Sequence, residues 1–267
     1  METFIPSFDG LKLYLHAEAA PDCRAAAVIV HGLCEHQGRY DYLAAAFHKA
    51  GISTYRFDHR GHGRSEGEKA HYSDFNELLD DTNTVVDLAV SENPGLPVFL
   101  VGHSMGGFTV SLYGVKYPEK GLRGIVTSGA LTAGNDNQVL AIPKGQDPHT
   151  RLPNGLGSGV CSVPEVVDWY GKDPYNGKSF TTGLCYALSD GLEWFRSKIG
   201  EFHYPVLMLH GEKDGLVSVK DTYNFFDKVS SADKQMKIYG GLFHEIFNEY
   251  CRDEVIDDAL RWITARI

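Results

Sequence analysis

One serine in the chain has a sequence context that favours nucleophilic chemistry. Ser104 is the centre of the pentapeptide Gly102-His-Ser-Met-Gly106, which follows the apolar run Val98–Val101 and precedes a helical pattern. Glycines two residues before and after a serine allow a strand to turn sharply into a helix and to expose the hydroxyl. A serine hydroxyl becomes a good nucleophile only when a neighbouring base takes its proton. The pattern therefore predicts Ser104 as a nucleophile.

A base and an orienting acid are expected at the same edge of the sheet as the serine. His244 follows the last predicted strand, and Asp214 follows the strand before it. Parallel strands that end at one edge bring such loops together. Glu212 and Asp221 lie near Asp214 in the sequence, but Asp214 is the preferred acid. Together with Ser104 these residues give the order Ser, Asp, His, which is found in α/β-hydrolases.

The negatively charged oxygen of a tetrahedral intermediate needs backbone N–H donors. His31-Gly-Leu33 follows the first long apolar strand, and Met105 begins the helix after the serine. Backbone amides at such positions form oxyanion holes. We therefore expect the amides of Leu33 and Met105 to bind the oxyanion.

Alternating strands and helices are predicted around these residues. Short apolar runs indicate strands buried on both faces, and helical patterns with a 3.6-residue period lie between them. The chain therefore predicts an α/β protein with a mostly parallel eight-stranded sheet and helices on both faces. The predicted strands are 4–8, 11–17, 25–30, 52–57, 98–101, 124–128, 205–209 and 235–239. The helices are 40–50, one with Ser73 as its N-cap, 108–117, 219–229 and 249–267.

The alternation breaks between residues 132 and 203. This stretch is rich in glycine, proline and asparagine but also carries large aromatic side chains such as Trp169 and Trp194. A structureless loop of that length is improbable in a compact domain. We expect residues 132–203 to form an inserted, largely helical cap, and residues 1–131 and 204–267 to form the core.

Composition excludes several classes of function. The formal net charge of −10 argues against nucleic-acid binding, which needs a basic surface. The five cysteines show no metal-ligand spacing, so no metal site is expected and reduced thiols in a cytoplasmic protein are predicted. No signal peptide and no bilayer-spanning segment are evident.

Five segments resemble α/β-hydrolases of the monoacylglycerol lipase and lysophospholipase group, which are S33-like serine hydrolases. The resemblance implies the catalytic residues Ser104, Asp214 and His244 and a cap over the active site. The matching segments are His31-Gly-Leu-Cys-Glu-His-Gln-Gly-Arg-Tyr40, Phe57-Asp-His-Arg-Gly-His-Gly-Arg-Ser-Glu-Gly67, Gly102-His-Ser-Met-Gly-Gly107, His210-Gly-Glu-Lys-Asp214 and the loop that carries His244.

The same resemblance implies substrate-binding residues. Glu35, Arg39 and His103 match positions that line the glycerol pocket in monoacylglycerol lipases, and Tyr170 matches a tyrosine that faces the alcohol end of the substrate. The residues themselves leave alternatives open. Glu35 and Arg39 are also compatible with a structural ion pair, and His103 with a packed supporting residue. No metal ion or organic cofactor is implied.

The expected function is ester hydrolysis through an acyl-enzyme, most similar to that of a monoacylglycerol lipase. Alternatives within hydrolases are a lysophospholipase, a general or feruloyl carboxylesterase and an S33-type peptidase. An alternative of another class is a catalytically silent binding protein on the same fold. The expected partner is a small ester such as a monoacylglycerol, with at most transient contact with a membrane surface.

Overall fold

The computed structural model describes residues 1–135 and 137–267. Within these residues the chain forms ten strands and seven α-helices. The strands are β1 (Glu2–Pro6), β2 (Lys12–Glu18), β3 (Ala25–Val30), β4 (Ile52–Phe57), β5 (Val98–His103), β6 (Gly124–Ser128), β7 (Arg151–Pro153), β8 (Ser179–Thr181), β9 (Val206–Gly211) and β10 (Lys234–Tyr239). The helices are α1 (Asp41–Lys49), α2 (Asn76–Glu92), α3 (Met105–Lys116), α4 (Pro164–Lys172), α5 (Thr182–Lys198), α6 (Val219–Lys228) and α7 (Arg252–Thr264).

Eight strands form one sheet in the order β1-β2-β4-β3-β5-β6-β9-β10. The pairs from β4 to β10 are parallel, whereas β1 and β2 are antiparallel additions at one edge. Every residue of β3, β4, β5 and β9 is buried, as the apolar runs 25–30, 98–101 and 205–209 predict for β3, β5 and β9. The predicted mostly parallel eight-stranded sheet is therefore confirmed, and its parallel strands end at one common edge.

Helices cover both faces of the sheet. Buried side chains of α2, α3 and α6 pack in one hydrophobic cluster, and those of α1 and α7 pack in a second cluster on the other face. This two-sided arrangement explains why the central strands are apolar on both faces. It also leaves the loops at the carboxyl edge of the sheet free to carry functional side chains.

Residues 132–203 follow β6 and precede β9. The described part contains α4, α5 and the small antiparallel sheet of β7 and β8. Apolar side chains of α5 join the larger core cluster, so this helix is packed firmly onto the body of the protein. The division into a cap of residues 132–203 and a core of residues 1–131 and 204–267 stays a prediction.

The predicted start of α2 is wrong. The helix begins at Asn76 and not directly after Ser73, and Phe75 occupies the N-cap position without a side-chain cap. The Asp74 carboxylate accepts a hydrogen bond from the Asn76 amide at 2.7 Å. The amide of Ser73 instead donates to the Glu77 carboxylate at 2.9 Å. Ser73 therefore does not occupy the predicted N-cap position.

Among the helices of the described residues, none combines the length and the apolar character required to cross a bilayer. All five cysteines are free thiols.

Candidate active site

Ser104 lies at the sharp turn between β5 and α3. Its φ of 56° and ψ of −116° are strained values for a non-glycine residue and cost on the order of 1–3 kcal/mol. The crossing is so tight that a Cβ on Gly102 would lie 2.3 Å from the Gly106 carbonyl oxygen, and one on Gly106 would lie 2.0 Å from the Val30 carbonyl oxygen. Only glycine fits at both positions. The Ser104 amide donates to the Ser128 carbonyl at 2.9 Å and holds the turn against β6.

His244 and Asp214 form a buried hydrogen-bonded pair. His244 lies in the loop after β10, and its Nδ1 donates to Asp214 Oδ2 at 2.6 Å. The second carboxylate oxygen of Asp214 accepts from the amides of Leu216 and Val217, each at 2.9 Å. These bonds fix the carboxylate and leave Nε2 of His244 unprotonated in the neutral ring, as a base requires.

The electrostatics of the pair follow from burial and mutual attraction. Burial alone would lower the pKa of His244, but the Asp214 carboxylate outweighs it, so the pKa of His244 is raised. Burial likewise opposes ionisation of Asp214, yet His244 and His210 together hold its pKa well below the usual range. The arrangement therefore favours an ionised Asp214 and stabilises a positive charge on His244 when it takes a proton.

His210 supports Asp214 from the other side and was not singled out by the sequence analysis. Its Nε2 lies 3.0 Å from Asp214 Oδ2 and 3.0 Å from the Val217 carbonyl oxygen, while its Nδ1 lies 2.7 Å from the Thr222 hydroxyl. Two acceptors at Nε2 require a proton there, so Nδ1 accepts from Thr222. The sequence signals were its position at the end of β9 and its place in the matching segment His210-Gly-Glu-Lys-Asp214.

The two other candidate acids, Asp221 and Glu212, form hydrogen bonds elsewhere in the structure. The fully buried Asp221 accepts hydrogen bonds from four consecutive backbone amides, residues 132–135, at 2.8 to 3.0 Å. It anchors the start of the segment that follows β6. Glu212 accepts from the Gly241 amide at 3.1 Å. Among these three acids, Asp214 is the one that the structure places beside His244.

The predicted oxyanion donors lie next to Ser104. Leu33, Met105, Ser104 and His244 all line one cavity of about 360 Å³. A Cβ on Gly32 would lie 3.1 Å from the Ser104 Cβ, so the loop that carries Leu33 approaches the serine closely. Met105 is the first residue of α3, where backbone amides point outward and favour negative charge. The Leu33 amide thus lies on a loop beside the serine, and the Met105 amide lies at the first residue of α3.

Glu35 and Arg39 lie behind the cavity wall. Arg39 Nη1 donates to Glu35 Oε2 at 2.7 Å, and both terminal nitrogens donate to the Glu245 carboxylate at 2.6 and 2.7 Å. The other oxygen of Glu35 accepts from the Gly32 amide and, at 2.6 Å, from the Tyr40 hydroxyl. This buried cluster joins the segment that carries and follows Leu33 to the loop that carries His244. Neither Glu35 nor Arg39 is among the residues that line the cavity.

His103 and Tyr170 are also buried beside the site. The His103 ring lies 4.6 Å from the His244 ring, and its Nδ1 contacts the Ser128 hydroxyl at 3.1 Å. Burial, followed by the nearby His244, lowers the pKa of His103 to about 3, so the ring is neutral. The Tyr170 ring covers the Arg39 guanidinium at 4.8 Å. The structure brings all four predicted substrate-binding residues together, and their contact with substrate stays a prediction.

The cavity that reaches Ser104 is largely apolar. Its described lining contains no carboxylate, lysine or arginine side chain. Both the sheet edge and the segment 132–203 contribute to it. The lining residues are Leu33, Ser104, Met105, Leu131, Asn137, Gln138, Val139, Ile142, Leu152, Pro153, Gly155, Leu156, Phe180, Leu188, Gly215, Leu216, Val217 and His244.

Comparison with known proteins agrees with this geometry. Residues 21–250 match the family model described as serine aminopeptidase, S33. The chain belongs to this family. It is 36% identical over 253 residues to the monoacylglycerol lipase of Mycolicibacterium smegmatis, which covers 92% of this chain and 90% of that protein. It is also 31% identical over 254 residues to the human monoglyceride lipase, covering 91% of this chain and 83% of the relative.

A solved structure supports the same conclusion. The crystal structure of the Paleococcus ferrophilus monoacylglycerol lipase superimposes with a TM-score of 0.84 at 28% identity, covering 96% of this chain and 99% of that chain. The predicted α/β-hydrolase fold and the resemblance to the monoacylglycerol lipase group are therefore confirmed. The chain is a serine hydrolase of the carboxylic ester class, similar to monoacylglycerol lipases.

Proposed function

We propose that the protein hydrolyses monoacylglycerols, with Ser104 as nucleophile, His244 as general base and Asp214 as the orienting acid. The observation that carries the proposal is the Asp214–His244 hydrogen bond of 2.6 Å at the edge of an apolar cavity that Ser104 also lines. The relatives named monoacylglycerol or monoglyceride lipase support the choice of substrate.

In the first half of the proposed reaction the enzyme is acylated. His244 Nε2 takes the proton of Ser104 as the serine oxygen attacks the acyl carbonyl carbon. The amides of Leu33 and Met105 bind the oxygen that becomes negative, and Asp214 stabilises the protonated His244. The intermediate then collapses, His244 gives its proton to the glycerol oxygen, and glycerol leaves. In the second half water attacks the acyl-serine with His244 again as base, and the fatty acid is released.

The lining of the cavity supports an uncharged acyl group as the bound part of the substrate. Its volume of about 360 Å³ lies in the range of small-ligand sites, and its described walls are mostly aliphatic and aromatic. An aminopeptidase needs a carboxylate that binds a free amino terminus. The Glu35 carboxylate does not suit that role, because Arg39, Tyr40 and the Gly32 amide already occupy it. A lysophospholipid headgroup likewise meets no basic side chain in the described lining.

Turnover on a panel of uncharged and charged substrates tests the proposal. The panel contains monoacylglycerols of several chain lengths, lysophosphatidylcholine, hydroxycinnamate esters, p-nitrophenyl esters and proline naphthylamide. We expect kcat/KM to be highest for monoacylglycerols and p-nitrophenyl acyl esters. A tenfold or greater preference for the lysophospholipid or the naphthylamide would contradict the proposed substrate.

Four further expectations accompany the proposal, and two of them have a direct measurement. Catalysis is expected to need no metal ion or organic cofactor, so dialysis against a chelator should leave ester turnover unchanged. Contact with lipid is expected to be transient, and co-sedimentation with liposomes tests it. A cytoplasmic location and a lack of nucleic-acid binding complete the proposal.

A further inference from the structure

Three side chains with metal-binding atoms converge away from the active site. Glu68 and His71 lie in the loop between β4 and α2, and His149 lies just before β7. Their donor atoms all lie within 4.8 Å of one another. His149 Nδ1 is 2.9 Å from Glu68 Oε2, and the His71 and His149 rings are stacked with centroids 4.7 Å apart.

We propose that Glu68, His71 and His149 form a binding site for Zn²⁺. Two imidazoles and one carboxylate are a donor set that binds zinc with three protein ligands and leaves a fourth position for water. Imidazole nitrogens do not suit Ca²⁺ or Mg²⁺, which prefer oxygen ligands. No metal was expected from the spacing of the cysteines, and the 77 residues between His71 and His149 hide their proximity.

The surroundings of His71 orient its ring for this role. Its Nδ1 lies 3.0 Å from the Thr181 hydroxyl, which in turn donates to the Ala70 carbonyl and accepts from the Leu184 amide. The hydroxyl proton is therefore used, so His71 Nδ1 donates and Nε2 keeps its lone pair. A hydrogen bond at the second ring nitrogen is typical of histidine ligands. A Cβ on Gly183 would lie 2.6 Å from the His71 ring, so this glycine makes room for it.

Zinc binding requires a small rearrangement of the two exposed ligands. Donor atoms about 2.0–2.1 Å from a tetrahedral ion lie roughly 3.4 Å apart, which is closer than the 4.8 Å limit of the present cluster. The two rings are also nearly parallel, at 16°, so one ring must turn to point its nitrogen at the ion. The His149 side chain is 59% exposed and that of Glu68 is 42% exposed, so both have room to move.

The three proposed ligands lie next to the strands that form one wall of the cavity. β7 begins two residues after His149, and β8 ends at Thr181, the partner of His71. Leu152, Pro153 and Phe180 of these strands line the cavity that reaches Ser104. A bound Zn²⁺ therefore ties one wall of that cavity to the loop before α2. Hydrogen exchange of residues 147–156 should become slower when the ion binds.

Calorimetric titration of tag-free protein with zinc chloride tests the site. We expect one saturable site per chain, and His149→Ala and Glu68→Gln should each weaken binding by about tenfold or more, as expected for removal of a ligand. His203→Ala removes an exposed histidine elsewhere and should leave the affinity unchanged. Substitution with Co²⁺ should give the absorption of a tetrahedral ion, and Mg²⁺ should not compete.

Two results would overturn the proposal. Lack of saturable zinc binding by the folded wild-type protein would exclude the site, and so would equal zinc affinity in wild-type protein, His149→Ala and Glu68→Gln. If zinc binds at this site but hydrogen exchange of residues 147–156 is unchanged, the proposed link between the cavity wall and the loop before α2 is refuted. The zinc site itself is then not refuted. Because both variants replace exposed side chains, their circular dichroism should match that of the wild-type protein. None of these outcomes bears on ester turnover by Ser104.

Discussion

Replacing Asp214 with asparagine exchanges one carboxylate oxygen for an NH₂ group. The change removes the negative charge but keeps the shape of the side chain. In the structure one carboxylate oxygen accepts from the amides of Leu216 and Val217, and the other faces His244 and His210. In Asp214→Asn the amide oxygen keeps the two backbone N–H groups. The new NH₂ group then faces the two histidines, and both of these present a nitrogen that carries a proton.

The expected loss follows from the tautomer of His244. To avoid two donors that face each other, His244 must accept at Nδ1 and carry its proton on Nε2, the atom that should receive the proton of Ser104. Such a ring is not a base. In comparable triads this change lowers kcat about 10⁴-fold, which corresponds to about 5.5 kcal/mol of transition-state stabilisation. His210 keeps its bond to the Val217 carbonyl, so the loss of folding stability should be only about 1–3 kcal/mol.

The assay is hydrolysis of a p-nitrophenyl acyl ester, with kcat and KM determined separately. We expect kcat to fall while KM changes little, because the carboxylate acts on the transition state. Glu212→Gln is the matched control, since Glu212 lies two residues away and its carboxylate contacts the Gly241 amide. It should stay within about twofold of wild-type activity. If Asp214→Asn kept more than a tenth of the wild-type kcat while Glu212→Gln lost activity, the assignment of the acid would be refuted.

The remaining predictions concern pH, the turn and the buried cluster. Because Asp214 raises the pKa of His244 and the base must be neutral, kcat/KM should fall as pH drops through a value above about 6.5. Gly106→Ala places a Cβ 2.0 Å from the β3 backbone, so urea unfolding should show a loss of about 3 kcal/mol or more, or the protein should fail to fold. Arg39→Met leaves the buried carboxylates of Glu35 and Glu245 without the positive charge that both of them contact, and should cost about 3–5 kcal/mol.

Each of these has its own contradicting result. A pH profile of the wild-type protein whose acid limb lies below about 6.5 would contradict a raised pKa of His244. If Gly106→Ala were as stable as the wild-type protein, the backbones of β3 and α3 would have to lie farther apart than they do in the structure. For Arg39→Met, the added changes Glu35→Gln and Glu245→Gln should restore part of the stability, and a further loss would refute the ion-pair explanation.

Sequence reasoning succeeded where a local pattern determines the structure. Strand β3 was predicted with its observed bounds because a run of six apolar residues has the length and composition of a strand buried on both faces. The turn at Ser104 was predictable because the spacing of Gly102 and Gly106 is itself the steric requirement. In contrast, the start of α2 was missed because Ser73 is a good cap in isolation, whereas the helix begins at Asn76 with Phe75 at the N-cap position.

The parts that were missed depend on contacts between distant residues. Arg39 and Glu245 are 206 residues apart, and no local signal indicates that they meet in a buried ion pair. The support of Asp214 by His210 likewise depends on how the loop after β9 folds back on its own strand. Such contacts follow from tertiary packing rather than from periodicity or propensity, so they become visible only in the structure.

The central claim is that Ser104 is a nucleophile activated by His244, and covalent labelling tests it most directly. The folded protein is treated with a fluorophosphonate and the adduct is located by mass spectrometry of its peptides. We predict a single adduct on Ser104, absent in Ser104→Ala and formed far more slowly in His244→Ala. Folded wild-type protein that takes up no label, or a label on another residue with ester turnover intact in Ser104→Ala, would contradict the account.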